Sequence, residues 1–170
     1  IRTVGSGNIG ATNVYRVAGG RLALAVFVCD MAKGWVPVAT ASFAGLPSWA
    51  GLLTGIAAIT GHSFPCFLKG KGGKGVATSF GVAIALVPYA ALAALGVWLA
   101  VTVASGFVSV GSITAAVLFP FLVLWLHRPD PWKVVFAAAA AAFIIVMHRG
   151  NIARLASRTE HRIRLPWTPA

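Results

Sequence analysis

No charged side chain occurs between Lys74 and Arg128. A water-soluble domain needs about a quarter of its residues charged to cover its surface, whereas here 10% are charged and 58% are hydrophobic. An uncharged stretch of that length is solvated by lipid, and a helix is the element that satisfies its own backbone there. The expected fold class is therefore an all-α polytopic membrane protein.

Apolar segments run over residues 22–43, 46–62, 76–88, 89–105, 107–126 and 132–148. The breaks are Gly45-Leu46-Pro47, the glycine-rich 69–75 stretch, Pro88, Ser105-Gly106 and HRPDP at 127–131. About 20 helical residues cross the hydrocarbon, so 76–88 is short and could form one bent helix with 89–105. Charge placement favours six crossings. They put Arg2, Arg16, Arg21, Lys69, Lys71, Lys74, Arg149, Arg154, Arg158, Arg162 and Arg164 on one side, with Arg128 and Lys133 opposite and Lys33 inside a span. By the positive-inside rule that side is cytoplasmic, and Trp49, Trp125 and Trp132 gather at the other interface. A single membrane domain over 1–170 with a basic tail at 149–170 follows. Because Ile1 is not a natural start, the sequence reads as beginning after an earlier span. Cys29 and Cys66 imply no disulfide framework, and no internal repeat is visible.

The opening stretch contains Gly5-Ser6-Gly7-Asn8-Ile9-Gly10, which matches the dinucleotide-binding G-x-G-x-x-G, with Asp30 at the spacing of a ribose carboxylate. The match lacks its context. Only four residues precede it, and a membrane span follows it rather than a βαβ unit.

Four polar stretches share the basic side. One contains Ser6, Gly7, Asn8, Asn13 and Arg16; another His62, Lys71, Gly72, Gly73 and Lys74; a third Ser109; the last His148, Asn151, Arg154 and Glu160. Glycines let backbone N–H groups approach phosphate oxygens, Lys and Arg neutralise charge, and Ser, Asn and His supply directed donors. These residues are candidates for one anion site. There are three acidic side chains, which argues against a magnesium-centred phosphotransferase. No metal, cofactor or nucleic acid is expected. Asp30 and Lys33, at i and i+3, read as a structural pair, since either charge alone in a span is costly. Other catalytic patterns fail. There is no G-x-S-x-G elbow, Val76 stands where Walker A needs lysine, and no His has Asp five residues on.

SGNIGATNVYR at 6–16, GHSFPCFLKGKGGKGVAT at 61–78 and HRGNIARLASRTEHR at 148–162 closely resemble the three motifs of the bacterial integral-membrane acyl-phosphate:glycerol-3-phosphate acyltransferases, the PlsY family. DMAKGWVP at 30–37 resembles that family's second span. The family has seven spans, which agrees with six here and one before Ile1. The resemblance implies acyl transfer from acyl phosphate to the sn-1 hydroxyl of glycerol 3-phosphate, giving lysophosphatidic acid in the bacterial inner membrane. The active site would lie on the cytoplasmic side, downstream of an enzyme that makes acyl phosphate. By similarity Ser6 and Arg16 belong at the phosphate site, while Lys71, Gly72, Gly73 and Lys74 hold phosphate groups. His148 and Asn151 serve catalysis or acceptor binding, Ser109 is a further phosphate contact and Glu160 is structural. Two departures stand out: Gly70 replaces a bulky aromatic residue, and Arg158 replaces a glycine common before TE. Both are expected to loosen local conformation.

Acyl phosphate is already activated, so direct attack by the acceptor hydroxyl needs no acyl-enzyme. His148 is the candidate base, with the acceptor's own phosphate as the alternative. The tail spaces Arg154, Arg158 and Arg162 at i, i+4 and i+8, as a helix on anionic lipid would. The competing function is a transporter for an organophosphate anion.

Overall fold

The computed structural model describes residues 1–127 and 130–163; Arg128 and Pro129 of the 127–131 break, and Arg164 with the rest of the tail, lie outside the described residues. Among those described, all regular structure is helical. The order is α1 (Ala11–Ala18), α2 (Gly20–Phe43), α3 (Ser48–Ser63), a 3-10 turn (Cys66–Leu68), α4 (Val76–Leu86), α5 (Pro88–Ser105), α6 (Val108–Leu126), α7 (Pro131–Met147) and α8 (Arg149–Ala156).

The breaks fall where backbone chemistry puts them. Pro88 opens α5 at its first position, where its missing N–H costs nothing, and Gly106 ends that helix with φ +74°. Pro131 opens α7, and the Asp130 side chain caps it by accepting from the Trp132 N–H at 3.0 Å. α4 and α5 are thus two separate helices that break at Val87.

Among the described residues, four helical stretches are long and apolar enough to cross a membrane: α2, 48–68, α5 and α6. α7 becomes a fifth if it is counted with α8 across a 54° bend. α4 has 11 residues, about 16 Å of helix, roughly half the hydrocarbon thickness.

α2 and α4 approach closely at Gly34 and Gly81: a Cβ on Gly34 would fall on the Thr78 carbonyl, and one on Gly81 on the Met31 carbonyl. Without a hydrophobic force between helices in lipid, such small residues are what allow tight packing. The apolar core lies toward the α4–α5 turn, where Val38, Leu52, Val82, Val87, Ala90, Val123, Phe136 and Ala137 are buried together. Phe119 stands edge-on to Phe136, centroids 6.2 Å apart at 90°.

One expectation is overturned. The tail is not a helix carrying Arg154, Arg158 and Arg162 on one face, because α8 ends at Ala156. The Thr159 N–H bonds the Arg154 carbonyl at 2.8 Å and the Arg158 N–H the Leu155 carbonyl at 3.1 Å, with Arg158 at φ +59°. That is the Schellman close of a helix, whose left-handed position usually takes glycine. Arg158 occupies it, and the chain turns back over the bundle.

Candidate active site

Segments far apart in the sequence converge at one end of the bundle. The loop before α1 is knitted by Asn13, which is buried. Its Oδ1 accepts from the Ser6 N–H at 2.8 Å, and its Nδ2 lies within bonding reach of the carbonyls of Ile1, Val4 and Asn8 at 2.8–3.1 Å. Asn8 closes a smaller turn by accepting from the Gly10 N–H at 2.8 Å. Asn13 therefore spends its amide on holding Ser6 in place.

The glycine-rich loop folds back onto the end of α3. The Gly72 N–H donates to the Ser63 carbonyl at 3.0 Å, and Arg2 Nη2 donates to the Lys71 carbonyl at 2.8 Å. Gly73 lies against the His62 ring, where a Cβ would overlap Nε2. His62 in turn has Nδ1 3.5 Å from Asp30 Oδ1, which also accepts from Lys33 Nζ at 2.8 Å. Gly75, at φ +79°, starts α4 immediately after Lys74.

Lys74 is the centre of a relay. Its ammonium donates to Asn151 Oδ1. Asn151 Nδ2 donates to Glu160 Oε1 at 2.5 Å, Ser109 Oγ donates to the same oxygen at 2.9 Å, and Arg154 Nε donates to Glu160 Oε2 at 2.7 Å. Burial pushes the Lys74 ammonium down to about 8; the Glu160 charge opposes that and the charges of Arg154 and Arg16 add to it. Burial alone would raise the Glu160 carboxyl, but hydrogen bonds from Asn151, Ser109 and Arg154, with the Arg154 charge, outweigh it and hold the carboxyl below its usual range.

His148 sits buried at the bend between α7 and α8. Its Nδ1 lies 2.8 Å from the Ile144 carbonyl. That partner can only accept, so Nδ1 carries the proton and Nε2 keeps a lone pair.

The returning tail straps these parts together. Arg16 Nη2 donates to the His161 carbonyl at 3.0 Å, the Ile163 N–H to the Gly106 carbonyl at 2.8 Å, and the Arg162 guanidinium lies 5.2 Å over the Phe107 ring. Arg16 Nε and Ser79 Oγ are buried with no hydrogen-bond partner among the described residues. Buried donors of this kind are expensive unless something binds them.

All of this surrounds one cavity of about 280 Å³. Ser6, Asn8, Asn13, Arg16, Asp30, His62, Lys74, Ser109, His148, Asn151 and Glu160 line it. Gly7, Lys33, Lys71, Gly72 and Gly73 do not; the last three shape the loop that delivers Lys74. Sequence reasoning missed Ser79, Trp98 and a set of apolar lining residues, among them Phe27, Phe80, Ala83, Ala91 and Phe119. Ser79 carries a donor only four residues beyond Gly75 and could have been found; the others look like any lipid-facing residue. Chemically, the cavity offers the cations Arg16 and Lys74 and several neutral donors above an apolar shaft, with an imidazole lone pair beside them, while its two carboxylates are held, Asp30 by Lys33 and Glu160 by Arg154, Asn151 and Ser109. It can hold phosphate groups at the mouth and a hydrocarbon chain below.

These features define an integral-membrane protein built to handle an amphiphilic anion. The comparisons with known proteins make the class specific. The family model described as glycerol-3-phosphate acyltransferase matches residues 1–158. The glycerol-3-phosphate acyltransferase of Geotalea daltonii is 44% identical over 161 residues, covering 95% of this chain and 82% of that protein. That of Aquifex aeolicus is 45% identical over 165 residues, covering 95% and 84%. Among solved structures, the glycerol 3-phosphate form of PlsY, an integral membrane glycerol 3-phosphate acyltransferase, superposes with a TM-score of 0.91 at 41% identity, covering 96% of this chain and 82% of that one. Its lysophosphatidic acid form gives 0.88 at 40% identity, covering 94% and 81%. The chain belongs to the glycerol-3-phosphate acyltransferase family.

Proposed function

We propose that this protein transfers a fatty acyl group from acyl phosphate to the sn-1 hydroxyl of glycerol 3-phosphate, giving lysophosphatidic acid and inorganic phosphate. The observation that carries the reading is one cavity in which Arg16, Lys74 and neutral donors stand above an apolar shaft. The mouth suits two phosphates meeting; the shaft suits an acyl chain. It is supported by relatives named for the acyltransferase activity and by a neighbour crystallised in glycerol 3-phosphate and lysophosphatidic acid forms.

In the mechanism we infer, Arg16, Lys74 and the Ser6 loop offset the charge of the two substrates, and the first-turn N–H groups of α4 add the helix dipole. The acceptor hydroxyl oxygen attacks the acyl carbonyl, forming the ester C–O bond. The bond from the carbonyl carbon to the phosphate oxygen breaks, and phosphate leaves with the electron pair. His148 Nε2 takes the hydroxyl proton, an assignment that suits the lone pair its Nδ1–H···O=C bond leaves free. Asn151 places Lys74, Glu160 places Asn151 and Ser109, and Asn13 places Ser6. Ser109 meets phosphate only by exchanging its Glu160 partner.

The same reading makes α2 to α7 six crossings of a bacterial inner membrane, in one membrane-embedded domain. α1, the glycine-rich loop and α8 lie on the cytoplasmic side, where a soluble acceptor and the product of an acyl-phosphate-forming enzyme are at hand. On this reading α4, with 11 residues, makes the shortest of the six crossings.

The test is a turnover assay on purified protein with labelled glycerol 3-phosphate and either palmitoyl phosphate or palmitoyl-CoA, without added metal. Lysophosphatidic acid from the acyl phosphate alone is the expected result. Product from the thioester alone, or saturable uptake of glycerol 3-phosphate into vesicles with no product, would overturn the reading.

A further inference from the structure

The shaft has a floor. Below the polar mouth it is walled by Ala83 of α4, Ala94 of α5, Ala116 of α6 and Ala140 of α7, and it stops at Phe119 and Ala91. Beyond them the next layer, Val87, Ala90, Val123, Phe136 and Ala137, is buried, and none of its members faces the cavity. Phe119 cannot swing down, because its ring rests edge-on against Phe136, itself fully buried. Ser109 at the mouth and Phe119 at the floor lie on one continuous helix, ten residues apart, about 15 Å at the helical rise. The hydrocarbon of a bilayer is about 30 Å thick, so the shaft is one leaflet deep, the depth a single membrane acyl chain occupies.

We propose that Phe119, backed by Phe136, is the stop that sets the longest acyl chain this protein transfers. The inference rests on the acyl-transfer reading above and adds to it a specificity residue far from the reacting atoms. A donor whose methyl end reaches Phe119 keeps its carbonyl at the mouth. A longer donor must bend or lift that carbonyl away from Lys74 and His148. Each methylene gained or refused by an apolar site is worth roughly tenfold or more in discrimination.

The experiment measures kcat/KM of the purified protein for lauroyl, myristoyl, palmitoyl, stearoyl and arachidoyl phosphate, with ratios between chain lengths as the readout. Phe119→Ala opens the shaft to Phe136, and the arachidoyl-to-palmitoyl ratio should rise at least about tenfold. Ala94→Phe, at a half-buried position higher in the shaft, should lower the palmitoyl-to-lauroyl ratio by a similar factor. This second variant works from the opposite direction, so the test is decided even where Phe119→Ala fails to fold. Unmoved ratios in a variant that still turns over would overturn the chain stop and leave the activity standing. A wild-type protein that uses no acyl phosphate of any length would instead overturn the activity, and the stop with it.

Discussion

The mouth and the floor of the cavity are built by different rules. At the mouth, side chains from distant parts of the sequence meet through directed bonds: Lys74 to Asn151, Asn151 and Ser109 to Glu160, Arg16 to the backbone of the returning tail. At the floor, alanines and one phenylalanine pair from four helices meet by shape alone. A directed network fails when one donor is removed, because the remaining polar groups are left buried and unpaired. A packed floor yields by degrees, changing what fits rather than whether anything reacts. Substitutions at the mouth should therefore lower rate for every donor, and those at the floor should re-rank donors.

The sharpest break of that contrast is His148→Ala. With His148 as base, kcat should fall by about 10²–10⁴-fold with a smaller change in the acceptor KM. Loss of acceptor affinity with turnover kept would hand the proton to the acceptor's own phosphate. Next, Arg16→Ala should cost about 10²–10³-fold in kcat/KM for palmitoyl and lauroyl phosphate alike. A loss confined to one chain length would erase the distinction between mouth and floor.

A milder effect comes from pH. Lys74 titrates near 8, so it is charged below that value and loses its charge as pH rises through it. Between pH 7 and 9 the charged fraction, and with it kcat/KM for the donor, should fall about tenfold. Lys74→Arg, which does not titrate there, should flatten that limb; a limb of the same shape in this variant would assign the titration elsewhere. The smallest effect is at the turn after α8. Arg158→Gly relieves a left-handed position and should stabilise the fold by about 1 kcal/mol, read as a higher Tm. An unchanged or lower Tm would mean that the Arg158 side chain contributes more than its backbone costs.

The same contrast explains what could be read from the sequence. Helix positions were legible because charges, glycines and prolines punctuate them: the segment read as 107–126 is Val108–Leu126, and that read as 132–148 is Pro131–Met147. The mouth was legible as residue types, since polar groups beside lipid are costly and stand out. Their jobs were less so. Asn13 looked like a ligand donor, yet its amide is consumed by the loop that presents Ser6. The tail misled because arginines at helical spacing gave the right period, while Glu160, reaching back to Arg154 and Asn151, and the Schellman turn at Arg158 ended the helix. The floor gave no signal at all. Ala91 and Phe119 are apolar like neighbours such as Leu92 and Leu118 that face outward, and the packing of four helices tells them apart.

The central claim is that donor and acceptor meet at one mouth and react in a single step. A rapid-quench experiment with carbonyl-labelled palmitoyl phosphate and the purified protein, with and without glycerol 3-phosphate, tests it most directly. The account predicts no protein-bound label and no phosphate burst without acceptor, and lysophosphatidic acid as the first labelled product when acceptor is present. Label bound covalently to the protein in stoichiometric amount before acceptor is added, at Ser6 or Ser109 for example, would contradict it.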